Sequence, residues 1–176
     1  CSVRQDDRAG GRLIGDHLLA RRVADIVFVL PRQGWPAIDN RVLGLRDSIA
    51  AAGNGARLRL VEAASESFAD VQAAVAADLD ANPMPGAVVG ANDQVAIAAM
   101  LLLLDRGVDV PGAVRVVGFN GFETFRYARP RLTTIVSPAY AIGERGGEAM
   151  LARLKSDSFE ARDVVLPVWF EAGETT

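Results

Sequence analysis

The sequence contains very little cysteine and histidine. Cys1 is its only cysteine and His17 its only histidine. A single cysteine excludes an internal disulfide and any metal site built on several cysteines. Long apolar runs are absent as well: the longest, Val95 to Leu104, covers ten residues, whereas a membrane-spanning helix needs about 20. We therefore expect no membrane span and no metal centre.

The sequence also lacks a large excess of charge of either sign. The 176 residues are 50% hydrophobic, include 17 glycines and carry a formal net charge of −3. This composition allows one sizeable core or two small lobes, and the mixed charges predict no surface for nucleic acid. No leader precedes the first helix, so a signal peptide is not expected. A mature lipoprotein beginning at Cys1 is the alternative, because its leader would already be removed.

Short apolar runs alternate with longer helical patterns. Such runs are typical of strands covered on both faces of a parallel sheet, and their alternation with helices indicates right-handed βαβ units. The sequence thus predicts an α/β fold with a doubly wound parallel sheet. The flanks look incomplete, because the helix within residues 1–22 has no strand nearby in sequence. The predicted strands are 25–30, 57–63, 87–91, 114–119, 132–137 and 162–170, and the predicted helices lie near 37–52, 67–81, 93–106 and 139–155.

Polar residues directly follow three of the predicted strands. These are Asn92-Asp93 after "AVVGA", Asn120-Gly121 after "VRVVGF" and Gln33-Gly34-Trp35 after "DIVFVL". Helix capping would explain one residue of the first pair, and a tight turn would explain the second. However, ligands of open α/β sheets bind at the carboxyl ends of strands, and three polar junctions at one sheet edge favour a binding site. Arg41, one turn into the next helix, can reach the same edge.

The helix after Asn92-Asp93 is apolar on almost every face, from Val95 to Leu104. A helix on a sheet needs an apolar stripe of only three to four residues in every two turns. The remaining apolar surface is buried either inside the monomer or against a second subunit. The residues alone favour neither alternative.

Six segments, in this order, resemble the effector-binding domain of the LacI/GalR family of bacterial transcription regulators. The resemblance covers nearly the whole chain and is specific because of the order of the segments. They are "VRQDDRAGGRLIGDHLLARR", "NRVLGLRDSIAAAG", "GANDQVAIAAM", "VDVPGAVRVVGFNG", "RPRLTTIVSPAYAIGERGGEAMLARL" and the terminal "GETT".

The resemblance implies a two-lobed fold like that of type I periplasmic sugar-binding proteins, with the ligand between the lobes. By that template, residues 23–134 and 160–172 form an essentially complete C-terminal lobe. Residues 1–22 and 135–159 belong to a partial N-terminal lobe and its crossovers. The DNA-reading headpiece of the family would lie outside this chain.

The same resemblance implies a set of ligand-binding residues. Arg41 matches an arginine that contacts a ligand hydroxyl or carboxylate, and Asn92 matches the asparagine of the Ala-Asn-Asp motif. Asp6 and Ser137 lie at crossovers between the lobes. Phe68 falls near a pocket aromatic whose ring can stack on a sugar or base.

Asn120 departs from the family pattern, which has aspartate after Phe119. A neutral amide in place of a carboxylate makes a cationic or purely donor-type ligand less favourable, so the effector cannot be assigned by analogy. The family also uses the helix after Ala-Asn-Asp at a homodimer interface. The resemblance therefore favours partner burial for this helix, with Ile97, Leu101 and Leu104 at the interface.

Three functions remain in comparison. The first is the ligand-sensing and dimerisation portion of a cytoplasmic repressor that binds a sugar or nucleoside and reaches DNA only through its headpiece. The second is a periplasmic solute-binding protein of a sugar transporter. An enzyme is not expected: "VLPRQGWP" is not a Gly-x-Gly-x-x-Gly loop, "GERGG" lacks the Lys-Ser/Thr of a phosphate-binding loop, and His17 has no matched nucleophile. No catalytic residue or cofactor is predicted.

Overall fold

The computed structural model describes residues 1–123, 127–156 and 163–176. Within these ranges most of the predicted helices and strands are present. They are β1 Ser2–Gln5, α1 Asp7–Ala20, β2 Asp25–Pro31, α2 Pro36–Ala52, β3 Arg57–Ala63, α3 Phe68–Ala81, β4 Ala87–Gly90, α4 Asp93–Asp105, β5 Arg115–Asn120, β6 Thr133–Val136, α5 Ala139–Ser156, β7 Asp163–Leu166 and β8 Trp169–Glu171.

The strands of the described ranges form two sheets. The larger has six strands in the order β3-β2-β4-β5-β6-β8, and the smaller pairs β1 with β7. All of these pairs are parallel except that of β6 with β8. Helices α1 and α2 cover one face of the larger sheet, whereas α3 and α4 cover the other. The predicted doubly wound α/β fold is therefore confirmed.

The last predicted strand, 162–170, is wrong as a single element. Its described part divides into β7 and β8, which lie in different sheets on either side of Pro167. Proline has no N–H to donate to a ladder, so a continuous strand is interrupted there. Strand β1 is not predicted, because its partner β7 lies about 160 residues away along the chain. Arg162 lies outside the described residues.

Helix α1 packs on the larger sheet. Its residues Ile14 and Leu18 share a buried cluster with Ile26 and Phe28 of β2. The resemblance places residues 1–22 in the partial N-terminal lobe. This expectation is corrected for α1, because α1 packs on the larger sheet. Strand β6 also belongs to the larger sheet, so a boundary after Thr134 would divide it, and β7 pairs with β1 rather than with the larger sheet. Of the described elements, β1, β7 and α5 lie apart from the larger sheet and the helices that cover it.

Helices α1 and α2 approach each other through glycines. A Cβ on Gly11 would collide with the carbonyl oxygen of Arg41, and a Cβ on Gly44 would collide with that of Arg8. Because both obstacles are backbone atoms, they cannot rotate away. The close approach buries Arg41 and brings it to the start of α1.

Helix α4 is buried mainly within the chain. Ala96, Ala98, Ala99 and Met100 are fully inaccessible, and Ile97 is 5% exposed. The interpretation of burial inside the monomer thus holds for most of this helix. Ile97, which is predicted at a subunit interface, is buried in the core cluster that contains residues of α3, α4 and the sheet. Leu101, at 37% exposure, and the half-buried Leu104 remain at the surface.

The carboxylate of Asp93 links three elements beneath the carboxyl edge of the sheet. Its Oδ1 accepts a hydrogen bond from Thr134 Oγ1 at 2.5 Å, and its Oδ2 accepts one from the backbone N–H of Phe122 at 2.7 Å. Burial raises the pKa of Asp93 to about 6, despite these hydrogen bonds and the attraction of Arg41. Gly118 provides the necessary space, since a Cβ there would collide with Oδ1.

Hydrogen bonds hold the C-terminal residues against the larger sheet. Thr175 is fully buried, donates to the carbonyl of Val116 at 2.6 Å and accepts from the N–H of Thr133 at 2.9 Å. His17 contacts the Thr176 hydroxyl, and burial lowers the pKa of its imidazole to about 4. These contacts give His17 a structural role. No helix among the described residues is long and apolar enough to cross a membrane.

Replacing Gly44 with alanine is expected to destabilise the chain by about 1–3 kcal/mol, the usual cost of overpacking. The added methyl group must separate α1 from α2. Chemical denaturation measures the free energy of unfolding. Gly147→Ala in α5 is the control, since a Cβ there meets nothing within 4 Å, and we expect it to be neutral or stabilising by up to about 1 kcal/mol. Equal effects of the two changes would contradict the close helix crossing.

Asp93→Asn is expected to change how stability depends on pH. Because the folded pKa of about 6 lies above the ordinary aspartate value of 3.8, Asp93 contributes most to the free energy of unfolding below pH 3.8. This contribution is lost as the pH rises through 6. The wild type should lose roughly 3 kcal/mol relative to Asp93→Asn between pH 3.8 and pH 7. Denaturation curves across this range measure it, and a constant difference would contradict a raised pKa.

Candidate functional site

The polar junctions of the larger sheet meet at its carboxyl edge. Asn120 ends β5 with a φ of 106°, and Gly121 follows with a φ of 68°. Positive φ is uncommon for a residue other than glycine, although asparagine adopts it more readily than most. At this turn, Oδ1 of Asn120 lies 3.3 Å from Nη2 of Arg41.

Arg41 is the centre of this edge. Its Nε donates to Asp7 Oδ1 at 2.9 Å, and its Nη2 donates to Asn120 Oδ1 at 3.3 Å. Its Nη1 donates to the carbonyl of Ala91 at the end of β4. The guanidinium lies 3.8 Å from the centre of the Phe119 ring, which is a cation–π arrangement. One side chain thus joins α1, α2, β4 and β5.

The Arg41–Asp7 ion pair is almost fully buried, because each side chain is 7% exposed. Burial lowers the pKa of Arg41, while the nearby carboxylates, first of all that of Asp7, oppose this effect. The guanidinium remains positive at neutral pH, since arginine keeps its proton in proteins. Asp7 therefore neutralises the deepest positive charge at the sheet edge.

Asn92 has two structural partners. Its Oδ1 caps α4 by accepting from the N–H of Val95 at 3.0 Å, and its Nδ2 donates to Glu66 Oε1 at 3.0 Å. Helix capping, one of the two interpretations of this junction, is thus present. The second bond orients Glu66, whose backbone carbonyl also accepts from Gln94 Nε2 at 2.7 Å. The junction after β4 therefore holds the loop before α3.

Two open cavities meet at Ala37 and Asn120. The smaller has a volume of about 200 Å³ and the larger about 530 Å³. Both lie at the carboxyl edge of the larger sheet, and the larger also reaches β1 and the start of α5. The smaller is lined by Trp35, Ala37, Ile38, Arg41, Glu66, Asn92 and Asn120. The larger is lined by Arg4, Gln5, Asp7, Ala37, Asn120, Gly121, Phe122, Glu123, Ser137, Ala139 and Ile142.

The structure brings four of the six predicted ligand residues to these cavities, namely Arg41, Asn92, Asn120 and Ser137. The other two line neither cavity. Asp6 caps α1 by accepting from the N–H of Ala9 at 2.9 Å, and Phe68 is the partly exposed first residue of α3. Asp7, one position later than the predicted Asp6, is the carboxylate that contacts Arg41.

Sequence reasoning did not select Gln5, Asp7, Trp35 or Glu66 as site residues. Gln5 Nε2 donates to Asp7 Oδ1 at 2.9 Å, while its buried Oε1 has no partner among the described residues. The position of Trp35 in the polar junction after the first predicted strand could have identified it as a site residue. No sequence pattern marks Glu66, since it lies in a polar loop far from Asn92 in sequence.

The described ranges contain no group of three or more His, Cys, Asp or Glu side chains that could hold a metal ion. The site instead combines neutral amides, a paired cation, carboxylates and an exposed indole. Amides both donate and accept hydrogen bonds, and an indole face packs on apolar C–H surfaces. This arrangement suits a small molecule that carries hydroxyl groups.

Known proteins share this fold and sequence pattern. Residues 15–176 match the family described as periplasmic binding protein-like domain. The transcriptional regulator GalR of Escherichia coli (strain K12) is 32% identical over 147 residues, or 84% of this chain and 43% of that protein. Catabolite control protein A of Staphylococcus xylosus is 25% identical over 175 residues, or 99% of this chain and 53% of that protein. The chain thus spans about half the length of these relatives.

Solved structures agree. A LacI family regulator from Enterococcus faecium with bound ribose has a TM-score of 0.90 and 26% identity, covering 99% of this chain and 64% of that chain. The complex of the regulator CelR with cellobiose has a TM-score of 0.88 and 25% identity, covering 99% and 53%. The chain therefore belongs to the periplasmic binding protein-like domain family, and it is similar in sequence to GalR and in fold to these LacI family regulators.

Proposed function

We propose that this chain is the effector-binding and dimerisation portion of a LacI-type repressor that senses a sugar or nucleoside-like molecule. The observation that carries the proposal is the convergence of Arg41, Asn92 and Asn120 on adjoining cavities at one sheet edge. The names of the relatives and the sugars bound in similar structures support it. In the intact protein, DNA would be bound through a separate headpiece in the cytoplasm.

The ligand would lie between two lobes. The larger sheet with α1 to α4 would form one lobe, and β1, β7 and α5 would form part of the other. Helix α5 supports this division, because its apolar residues Tyr140, Leu151 and Leu154 are 85%, 60% and 76% exposed. Large exposed apolar patches mark surfaces that are covered by a partner. The rest of the second lobe would cover this one.

Ligand binding would act by shifting the balance between open and closed arrangements of the lobes. Gln5 in β1 and Ser137 before α5 line the larger cavity together with Asn120 of β5. A ligand that contacts both groups binds the closed arrangement better than the open one. Only such a difference in affinity can move the equilibrium.

A solute-binding protein of a transporter shares this fold, but no observation here favours it over a regulator. The beginning of the full-length gene separates the two functions. A DNA-binding headpiece is expected there. A secretory leader in its place would contradict the proposal.

Substitution of Arg41 is expected to lower effector affinity at least tenfold, since each hydrogen bond from a charged group contributes about 1.5–3 kcal/mol. The ligand for this test is the sugar or nucleoside that most raises the melting temperature of the intact protein. Arg41→Ala alone would leave Asp7 buried and unpaired, which costs about 3–5 kcal/mol. The double variant Asp7→Asn with Arg41→Gln avoids this charge, and calorimetry measures its affinity.

Arg46→Gln, on the exposed side of the same helix, is the control and should bind normally. Cooperative unfolding of each variant shows that the fold is intact. An unchanged affinity in the folded double variant would remove Arg41 from the site. Failure of every sugar and nucleoside to stabilise the intact protein would contradict the proposed function itself.

The exposed part of α4 is the surface proposed for dimerisation. Leu101→Arg or Leu104→Arg in the intact protein should convert dimers to monomers in sedimentation experiments, because a charge would be buried at an apolar interface. Met84→Arg is the control, since Met84 is 50% exposed but lies between α3 and β4. A dimer that survives both leucine substitutions would reject this surface.

A further inference from the structure

The charges around the smaller cavity do not balance. Arg41 is neutralised by Asp7 at 2.9 Å, and both side chains are buried. Glu66 lines the same cavity and attracts Arg41 less strongly than Asp7 does, and among the described residues its carboxylate forms no salt bridge. The pocket therefore presents one net negative charge. A cation deep in a binding site usually attracts anions, but here that attraction is largely cancelled by Asp7.

Glu66 is held in a defined position. Its Oε1 accepts from Asn92 Nδ2 at 3.0 Å, and its backbone carbonyl accepts from Gln94 Nε2 at 2.7 Å. Asn92 is itself fixed as the cap of α4. The second carboxylate oxygen, Oε2, has no hydrogen bond from any described residue. An ionised carboxylate only accepts hydrogen bonds, so a group that bonds to Oε2 must be a donor such as a hydroxyl or an ammonium.

Trp35 contributes an apolar wall to the same cavity. It is 51% exposed and directly precedes α2, and its side chain makes no capping hydrogen bond. An indole ring attracts both the C–H face of a sugar and a positive charge. An indole ring provides no comparable attraction for an anion. Trp35 and Glu66 thus favour the same ligands.

We propose that the effector is a sugar without an anionic group, neutral or amino-bearing, that donates hydrogen bonds to Glu66 while its ring lies against Trp35. Sugar acids and sugar phosphates are disfavoured by the unpaired carboxylate. This inference rests on the proposed effector-binding function. It also revises the expectation drawn from Asn120, because Glu66 supplies from another loop the carboxylate that position 120 lacks. A positively charged ligand is therefore compatible with the site.

Matched ligand sets test the inference on the intact protein. Each set contains a hexose, its 2-amino derivative, its aldonate and its 6-phosphate, for the glucose, galactose and mannose series. Calorimetry at pH 7 measures the affinities. In at least one set the neutral or amino member should bind about tenfold or more tightly than both anions. This is the ratio expected when the negative charge of Glu66 repels a ligand anion about 4 Å away.

Glu66→Gln keeps the size of the side chain and the bond from Asn92 but removes the charge. This variant should reduce the discrimination against the anions to less than about threefold and weaken binding of the amino sugar. Glu62→Gln is the matched control: it removes the same charge from an exposed position on β3, and its discrimination should equal that of the wild type.

The outcomes separate this inference from the proposed function. Tighter binding of an aldonate or phosphate overturns the inference and leaves a sugar sensor. Unchanged discrimination in Glu66→Gln shows that Glu66 does not set it and overturns the inference too. Binding of nucleosides alone contradicts the sugar class stated here but not effector sensing. Binding of no sugar and no nucleoside contradicts both proposals.

Discussion

The buried ion pair between Arg41 and Asp7 constrains the whole carboxyl edge of the larger sheet. Removing two charges from water costs several kcal/mol for each ion, and this cost is offset only when the remaining polar atoms also find partners. Arg41 satisfies the condition by donating to Ala91 at the end of β4 and to Asn120 at the end of β5, while its plane lies on the Phe119 ring. The pair thereby fixes where two helices and two strands meet.

This geometry requires small residues around it. A Cβ on Gly10 would collide with the Phe119 ring that supports Arg41, and Gly11 and Gly44 let the backbones of α1 and α2 approach closely. If α1 moved outward, Asp7 at its start would leave Arg41. The packing of the helices and the charge balance of the site therefore depend on the same few glycines.

The site also touches the segments that connect the two sheets. Asp7 follows β1 of the smaller sheet after one residue, and the N–H of Asp6 donates to Leu166 of β7 at 2.9 Å. On the other side, the N–H of Ser137 donates to the carbonyl of Asn120 at 3.0 Å, just before α5 begins. In the proposed sensor, a ligand held by Arg41 and Asn120 would lie beside the segments that connect the two sheets. A change in the relative position of the lobes would therefore change the contacts of the ligand.

The sequence by itself determined the α/β architecture, because apolar strand runs that alternate with helical patterns are local signals with a direct physical cause. It also selected Arg41, Asn92 and Asn120, since polar residues after buried strands must gather at one sheet edge. Only the tertiary structure decided that Asp7 rather than Asp6 pairs with Arg41, that Glu66 reaches Asn92, that Ile97 is a core residue, and that the chain near Pro167 divides between two sheets. Each of these depends on contacts between residues far apart in sequence, which no local pattern encodes.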